Sequence, residues 1–129
     1  IYIDSENYGK ALRWADKAIN LIDNGGKGYG QKGKVYYKGW ETYKQNPLSV
    51  DDRIVAKLAY NNFVKAEKLN YRGFSRSKYL KENAKDLLYG KAQWFMAEDK
   101  VKRSGAIRTT TSSYDWVTDE LVPEKEWKK

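Results

Sequence analysis

The chain has 129 residues, the length of a single domain, and a formal net charge of +8 from 25 Lys and Arg against 17 Asp and Glu. It contains neither His nor Cys, which removes the usual zinc ligands and excludes a Ser-His-Asp triad, thiolate chemistry and disulfides within this sequence. No apolar run reaches the roughly 18 residues of a membrane-spanning helix, and residues 1–20 lack the apolar core of a signal peptide.

The positive charge has two interpretations. A basic face can bind nucleic acid or an anionic membrane, or the charge can belong to an ordinary solvated surface rich in Lys. The Lys and Arg residues are spread through every segment and interleaved with acidic residues, which favours the solvated surface. A basic helical module that binds nucleic acid or another polyanion is therefore kept as the alternative function.

The period of the apolar residues and the breakers between them predict a chain dominated by helix. The four expected helices cover residues 6–22, 28–44, 51–69 and 78–98. Ser5 is the expected cap of the first helix. Its apolar stripe recurs at helical spacing, in Ala11, Ala15, Ala18 and Ile22.

The second predicted helix holds more aromatic rings than one packed helix face needs. Tyr36 and Trp40 lie one turn apart, which favours a place in the core, whereas Tyr37 and Tyr43 are better surface candidates. Gly33 in mid-helix lowers stability by about 1 kcal/mol relative to Ala. Such a glycine predicts the close approach of a neighbouring helix.

Residues 28–34, GYGQKGK, satisfy G-x-G-x-x-G and nearly satisfy the phosphate-binding pattern G-x-x-x-x-G-K-[ST]. Both motifs aim backbone N–H groups at phosphate from a loop between a strand and a helix. Here a helix precedes the glycines, and Val35 stands where the magnesium-binding hydroxyl would be. The sequence favours a turn between helices over a nucleotide site.

The third predicted helix has Ser49 as its cap and Asp51 and Asp52 in its first turn, where acidic side chains favour the helix dipole. Neighbours in sequence do not face each other on a helix, so Asp51-Asp52 and Asp119-Glu120 are interpreted as helix-start or surface charges rather than acid–base pairs. Within the helix, Phe63 is expected to be buried between the helix carrying Gly33 and the helix carrying Leu87.

The apolar pattern weakens after the fourth predicted helix. A short helix is expected after Ser112, ending at Pro123, and the tail 124–129 is expected to be mobile. The predicted division is a helical repeat domain at 1–100 and a C-terminal extension or tail at 101–129.

The spacing of small and aromatic residues resembles the tetratricopeptide repeat family, in the divergent, Tyr-rich and Lys-rich form of Bacteroidetes. Gly33 and Tyr36 match the first helix of a repeat, and a second-helix pattern appears twice. The full copy is Ala59, Phe63 and Ala66; the other, with a small residue in place of the ring, is Ala11, Ala15 and Ala18. The copies start 48 residues apart (59 − 11), against a family period of about 34. An insertion within 41–52 is expected, and the Pro that usually ends each repeat is missing.

The resemblance covers residues 8–98 and implies antiparallel helix pairs stacked as a short all-α solenoid; an unrelated small helical bundle is the alternative. It implies a groove that binds a protein partner, and hence a scaffold or an accessory subunit of a larger assembly. No catalytic residue, cofactor or metal site is predicted, and the missing His and Cys argue against an enzyme. Since the sequence begins at Ile1 on what would be the second helix of a pair, we expect a longer array or another subunit to cover that edge. The candidate partner-binding residues are Tyr29, Tyr37, Trp40, Tyr43, Lys91 and Trp94.

Overall fold

The computed structural model describes residues 5–21, 26–69 and 84–128, and the described part is mostly helical. Three long helices come first: α1 (Ser5–Leu21), α2 (Gly26–Tyr43) and α3 (Val50–Lys68). α2 packs against both α1 and α3. The all-α prediction is confirmed, and the bounds of these helices lie within one or two residues of the predicted ones.

The three long helices run antiparallel to their neighbours in sequence. Near the start of α1, the hydroxyl of Tyr8 lies 3.0 Å from that of Thr42 near the end of α2. At the other end of α2, the Tyr29 ring lies 5.2 Å from the ammonium group of Lys65, close to the end of α3. Both contacts require opposite directions, as expected for helices joined by short connections.

Gly33 gives α3 its close approach to α2. A Cβ placed on Gly33 would lie 2.7 Å from two ring carbons of Phe63, and that ring is fully buried. The missing side chain therefore makes room for the phenyl ring at the crossing of the two helices. The predicted burial of Phe63 against the helix carrying Gly33 is confirmed; its contact with the helix carrying Leu87 stays a prediction.

The glycine-rich stretch at the start of α2 is also explained by packing. Gly28 lies inside α2, and a Cβ there would lie 2.7 Å from the backbone nitrogen of Ile19 in α1. The backbone of residues 28–34 is helical, so its N–H groups belong to the helix ladder rather than to a phosphate-binding loop. The expected turn between helices is replaced by helix over residues 28–34, and the preference against a nucleotide site agrees with this geometry.

The prediction of one long fourth helix at 78–98 is wrong for the described part of that range. Residues 78–83 lie outside the described residues, and α4 (Ala84–Leu87) and α5 (Lys91–Phe95) are separate short helices. Between them, the N–H of Tyr89 donates to the carbonyl of Arg53 in α3, 3.1 Å away. Gln93 accepts from the N–H of Gly90 and so caps α5. These two hydrogen bonds replace the helical ladder at residues 88–90.

A last short helix, α6 (Asp99–Ser104), leads into residues 105–128, the C-terminal segment. The segment contains 3₁₀ turns at Ser112–Tyr114 and Lys125–Lys128, and an antiparallel bridge joins Ile107 to Leu121. The short helix predicted between Ser112 and Pro123 is reduced to the first of these turns, and residues 117–124 belong to no helix, with Leu121 in the bridge.

The C-terminal segment packs onto the long helices. Its buried side chains belong to the same apolar cluster as Phe63 and Trp40: Ile107, Tyr114, Trp116, Leu121 and Trp127. The expectation of a mobile tail is wrong for residues 125–128, because Trp127 is buried and its ring packs against Tyr89 at 5.5 Å between centroids. The cluster thus draws side chains from both sides of the domain boundary predicted at residue 100.

The contact between Gly39 and Trp116 predicts a measurable difference between two Gly→Ala variants. A Cβ on Gly39 would overlap the Trp116 ring, whereas a Cβ on Gly9 would lie 3.9 Å from the Cβ of the same tryptophan, an ordinary contact. Both changes gain helix propensity, so their difference isolates the overlap. Gly39→Ala should be less stable than Gly9→Ala by about 1–3 kcal/mol in urea unfolding. Equal stabilities would show that Trp116 does not pack on α2.

Candidate functional site

An open cleft of about 890 Å³ lies between the long helices and the extended residues 119–124; we name it the polar cleft. α1 contributes Asp16, Ile19 and Asn20, and α2 contributes Tyr29 and Lys32. The wall formed by α3 is rich in amides and cations: Lys57, Asn61, Asn62, Lys65 and Lys68. Since the C-terminal segment closes one side, the cleft exists only when that segment is folded onto the helices.

A buried lysine, Lys32, paired with two partly exposed carboxylates forms the base of the polar cleft. The ammonium group of Lys32 lies 2.8 Å from a carboxylate oxygen of Asp16 and 2.7 Å from one of Asp119. Burial by itself lowers the pKa of Lys32, but the hydrogen bonds and charges of Asp119 and Asp16 outweigh it, so the pKa lies above its ordinary value. Lys32 therefore links α1, α2 and the C-terminal segment through two ion pairs.

Tyr36 adds a hydrogen bond between α2 and the same carboxylate of the C-terminal segment. Its hydroxyl donates to Asp119 over 2.5 Å. Burial, and then the negative charge of Asp119, raise the pKa of Tyr36 far above its ordinary value, so the phenol keeps its proton and acts as a donor. The interpretation of Asp119 as a helix-start charge is wrong, because the residue lies outside any helix and its half-buried carboxylate accepts from Tyr36 and Lys32.

A second ion pair separates the polar cleft from a smaller one. Lys57 donates to Glu124 over 2.6 Å, and its ammonium group also lies 4.9 Å from the centre of the Tyr60 ring. On the far side is a cleft of about 440 Å³, lined by residues 88–93 and Trp127. Lys57, Tyr60 and Glu124 line both clefts, so this pair is the partition between them.

Among the residues that the structure describes, the uncompensated charge of the polar cleft is positive. Each of the four described carboxylates that line it has a cation: Asp16 and Asp119 share Lys32, Glu124 has Lys57, and Glu120 has Arg108. Lys65 lies over the Tyr29 ring. Within the described part of the chain, neither Lys65 nor Lys68 contacts a carboxylate, so a ligand in the cleft would meet two unpaired ammonium groups.

One wall of the polar cleft is an unused backbone edge. Ile107 and Leu121 exchange both hydrogen bonds, N–H of Ile107 to O of Leu121 at 2.9 Å and N–H of Leu121 to O of Ile107 at 2.8 Å. An extended chain turns alternate residues to opposite edges, so Glu120 and Val122 direct their backbone groups away from Ile107. No described residue donates to or accepts from these groups; we name them the 120/122 edge. The side chain of Val122 is 69% exposed.

The acidic pair at the start of α3 is structural. Ser49 and Asp52 form the capping box, which confirms the helix-start interpretation, but Asp51 and Asp52 are both buried rather than on the surface. Asp51 accepts from the N–H groups of Thr110 and Thr111, each at 2.8 Å. The pair thus serves as the point where the C-terminal segment is attached to α3.

Asp52 also attaches the C-terminal segment to α3, through Tyr114, and it binds two backbone N–H groups close to its own position in the sequence. It accepts from the N–H of Gln45, the N–H of Ser49 and the hydroxyl of Tyr114, at 2.8, 2.9 and 2.6 Å. Burial by itself raises the pKa of Asp52, but these hydrogen bonds outweigh it and hold the pKa below its ordinary value. Burial and the adjacent Asp52 carboxylate raise the pKa of Tyr114 well above its ordinary value.

The residues predicted to bind a partner do not share one surface. Tyr29 lines the polar cleft and Lys91 lines the smaller one. Tyr43 is half-buried beside Tyr8 and Tyr114, with ring centroids 6.0 Å away in each case. The other three, Tyr37, Trp40 and Trp94, are buried in the apolar cluster.

The expectation that Tyr37 and Trp40 belong to a partner-binding surface is therefore wrong, because both side chains are buried. The surplus of rings on α2 is explained by what covers it: α1, α3 and the C-terminal segment enclose the helix on several sides. A helix surrounded in this way buries aromatic residues on more than one face.

The sequence did not single out the groups that make the polar cleft. In the sequence, Lys65 and Lys68 fit the polar face of α3, and residues 119–124 were interpreted as the end of a short helix. One local signal was present: Pro123 follows Val122, and a residue before proline is biased toward extended backbone. That bias could have identified an extended segment here, though not what lies opposite it.

Two further features bear on the kind of site. In the described ranges, no group of three or more Asp or Glu side chains is placed to hold a metal ion. No helix in the described residues is both long and apolar enough to cross a membrane. Comparison with models of protein families, with curated proteins and with solved structures finds no match to this chain.

Proposed function

We propose that this chain is a protein-interaction module, a scaffold or accessory subunit, that binds a segment of a protein partner in the polar cleft. One observation carries the proposal: the cleft is open and combines half-buried tyrosines with amide side chains, the groups that hold an extended peptide. Tyr29 and Tyr60 offer ring surface at little rotamer cost. The amides of Asn20 and Asn61 can pair with peptide groups of a bound backbone.

The proposal includes the tetratricopeptide-like arrangement. In that arrangement α2 is the first helix of a repeat and α3 the second, with α1 as the second helix of the repeat before it. Helical repeats use the surfaces of adjacent helix pairs to bind extended or helical segments. The antiparallel packing of α1, α2 and α3 is compatible with this order.

The test is to obstruct the cleft and measure binding. Asn61→Trp places a large ring in the polar cleft, and Gln31→Trp places the same ring on the exposed side of α2, outside it. A partner captured from the native source by the wild-type chain should bind Asn61→Trp at least about tenfold more weakly, a loss of about 1.4 kcal/mol. It should bind Gln31→Trp with unchanged affinity, both variants having first been confirmed as folded by thermal melting.

Two outcomes would overturn the proposal. Equal binding by wild type and Asn61→Trp would place the contact outside the polar cleft. Retention of nucleic acid instead of protein, with affinity falling steeply as salt rises, would favour the basic polyanion-binding module. Titration at two salt concentrations after nuclease treatment separates these results.

A further inference from the structure

We infer that the partner segment in the polar cleft is an extended acidic peptide that adds as a strand to the 120/122 edge. The inference rests on the proposed function and deepens it by naming the chemistry of the partner. Three observations support it: free backbone groups along one wall, unpaired ammonium groups on the facing wall, and a carboxylate set already occupied by cations.

The backbone groups come first. Leu121 uses its N–H and carbonyl on Ile107, which leaves those of Glu120 and Val122 directed to the opposite edge. Exposed edges of this kind are templates for another extended chain. Both residues line the polar cleft, so a peptide lying in it can exchange main-chain hydrogen bonds with the edge. A helical ligand would satisfy its own backbone groups and leave these unused.

The charges then select the peptide. A bound strand displays alternate side chains on opposite faces, and one face of this strand meets the α3 wall. Lys65 and Lys68 stand there without carboxylate partners in the described part of the chain. Every carboxylate that lines the cleft among the described residues is already paired, so Lys or Arg side chains of a ligand would find no free acid there. Alternating acidic residues match the site, and basic residues oppose it.

The direct test uses fluorescence anisotropy with labelled peptides of roughly eight residues. The first alternates Glu and Val, the second replaces Glu by Lys, and the third repeats the first with N-methyl groups on alternate backbone amides. N-methylation removes donors without changing charge or side chains. The Glu-Val peptide should bind, the Lys-Val peptide should bind at least about tenfold more weakly, and methylation of the amides that face the edge should weaken binding by a similar factor.

Protein variants test both walls. Lys65→Gln with Lys68→Gln should weaken the Glu-Val peptide at least about tenfold, whereas Lys38→Gln with Lys100→Gln removes the same net charge from exposed positions outside the cleft and should change affinity little. Val122→Pro deletes one N–H of the edge and should weaken binding, while Val122→Ala keeps it. The N-methylated peptide gives the same information if Val122→Pro does not fold.

The results separate this inference from the proposed function. Suppose that Asn61→Trp no longer binds the native partner and that the wild-type chain does not bind the Glu-Val peptide. The cleft would then remain the interaction site, and the acidic strand would be overturned. If the N-methylated peptide bound with the same affinity as the Glu-Val peptide, charge alone would explain the contact, and strand addition would be overturned. A random RNA that binds as tightly as the Glu-Val peptide and is equally weakened by Lys65→Gln with Lys68→Gln would overturn both.

Discussion

Phe63→Ala is expected to lower the free energy of unfolding by about 3–5 kcal/mol. The Phe63 ring is 0% exposed and fills the space left by Gly33 at the crossing of α2 and α3. Removing it leaves a cavity between two helices. For a domain stabilised by about 5–15 kcal/mol in total, such a loss brings the protein close to unfolding at moderate temperature.

The measurement is equilibrium unfolding in urea, followed by circular dichroism and by tryptophan fluorescence. Phe95 supplies the matched control, because its ring is 74% exposed, and Phe95→Ala should change stability by no more than about 0.5 kcal/mol. If the two phenylalanines gave similar losses, the packing of α3 on α2 through Gly33 would be wrong. Phe63→Leu should retain most of the stability, since it replaces much of the lost volume.

Asp52→Ala is expected to destabilise the fold by about 3 kcal/mol or more. Three donors, the N–H groups of Gln45 and Ser49 and the hydroxyl of Tyr114, lose their acceptor together. The Tyr114 bond is buried, and a buried donor left unpaired costs about 1–3 kcal/mol. The Ser49 bond is half of the capping box of α3, so its loss also weakens the start of that helix. Asp115→Ala, at an exposed carboxylate in the same C-terminal segment, should have an effect within about 0.5 kcal/mol.

The effect of Asp52 depends on pH in a defined direction. Its pKa is lower in the folded protein than in the unfolded chain, so its contribution is fully present above the ordinary carboxyl pKa of about 4 and is lost as pH falls through the folded value. The stability difference between wild type and Asp52→Ala should therefore shrink below about pH 4. A difference that grew on acidification would contradict the lowered pKa.

The helices were predictable because their signals are local. Ser49 and Asp52 cap α3 within four consecutive residues, and Gly33 in mid-helix indicated the close approach of another helix, which is α3 through Phe63. The break at residues 88–90 was missed because Leu87, Leu88 and Ala92 continue the helical period across it. One local signal is present, Gly90 followed three residues later by the capping Gln93, but the hydrogen bond from Tyr89 to Arg53 joins residues far apart in sequence and has no local pattern.

The polar cleft was harder to predict for the same reason. Its base joins Lys32 to Asp119, and its partition joins Lys57 to Glu124, pairs that lie far apart in sequence. Each residue alone reads as ordinary surface charge, and a sequence pattern gives no sign of its partner. Tyr29 was identified from the aromatic excess on α2, but that excess mainly reflects how many elements cover the helix.

The attachment of the C-terminal segment also bears on the rate at which this protein folds. Tyr36 meets Asp119 across 83 residues, and Asp52 meets Tyr114 across 62. Proteins dominated by such distant pairings fold more slowly than helical bundles of similar size, because the entropy of closing long loops is lost before the contacts form. During synthesis, the three long helices leave the ribosome with the binding surfaces for Trp116 and Leu121 still uncovered. The polar cleft cannot be complete until the C-terminal segment has been made, because residues 119–124 supply one of its walls.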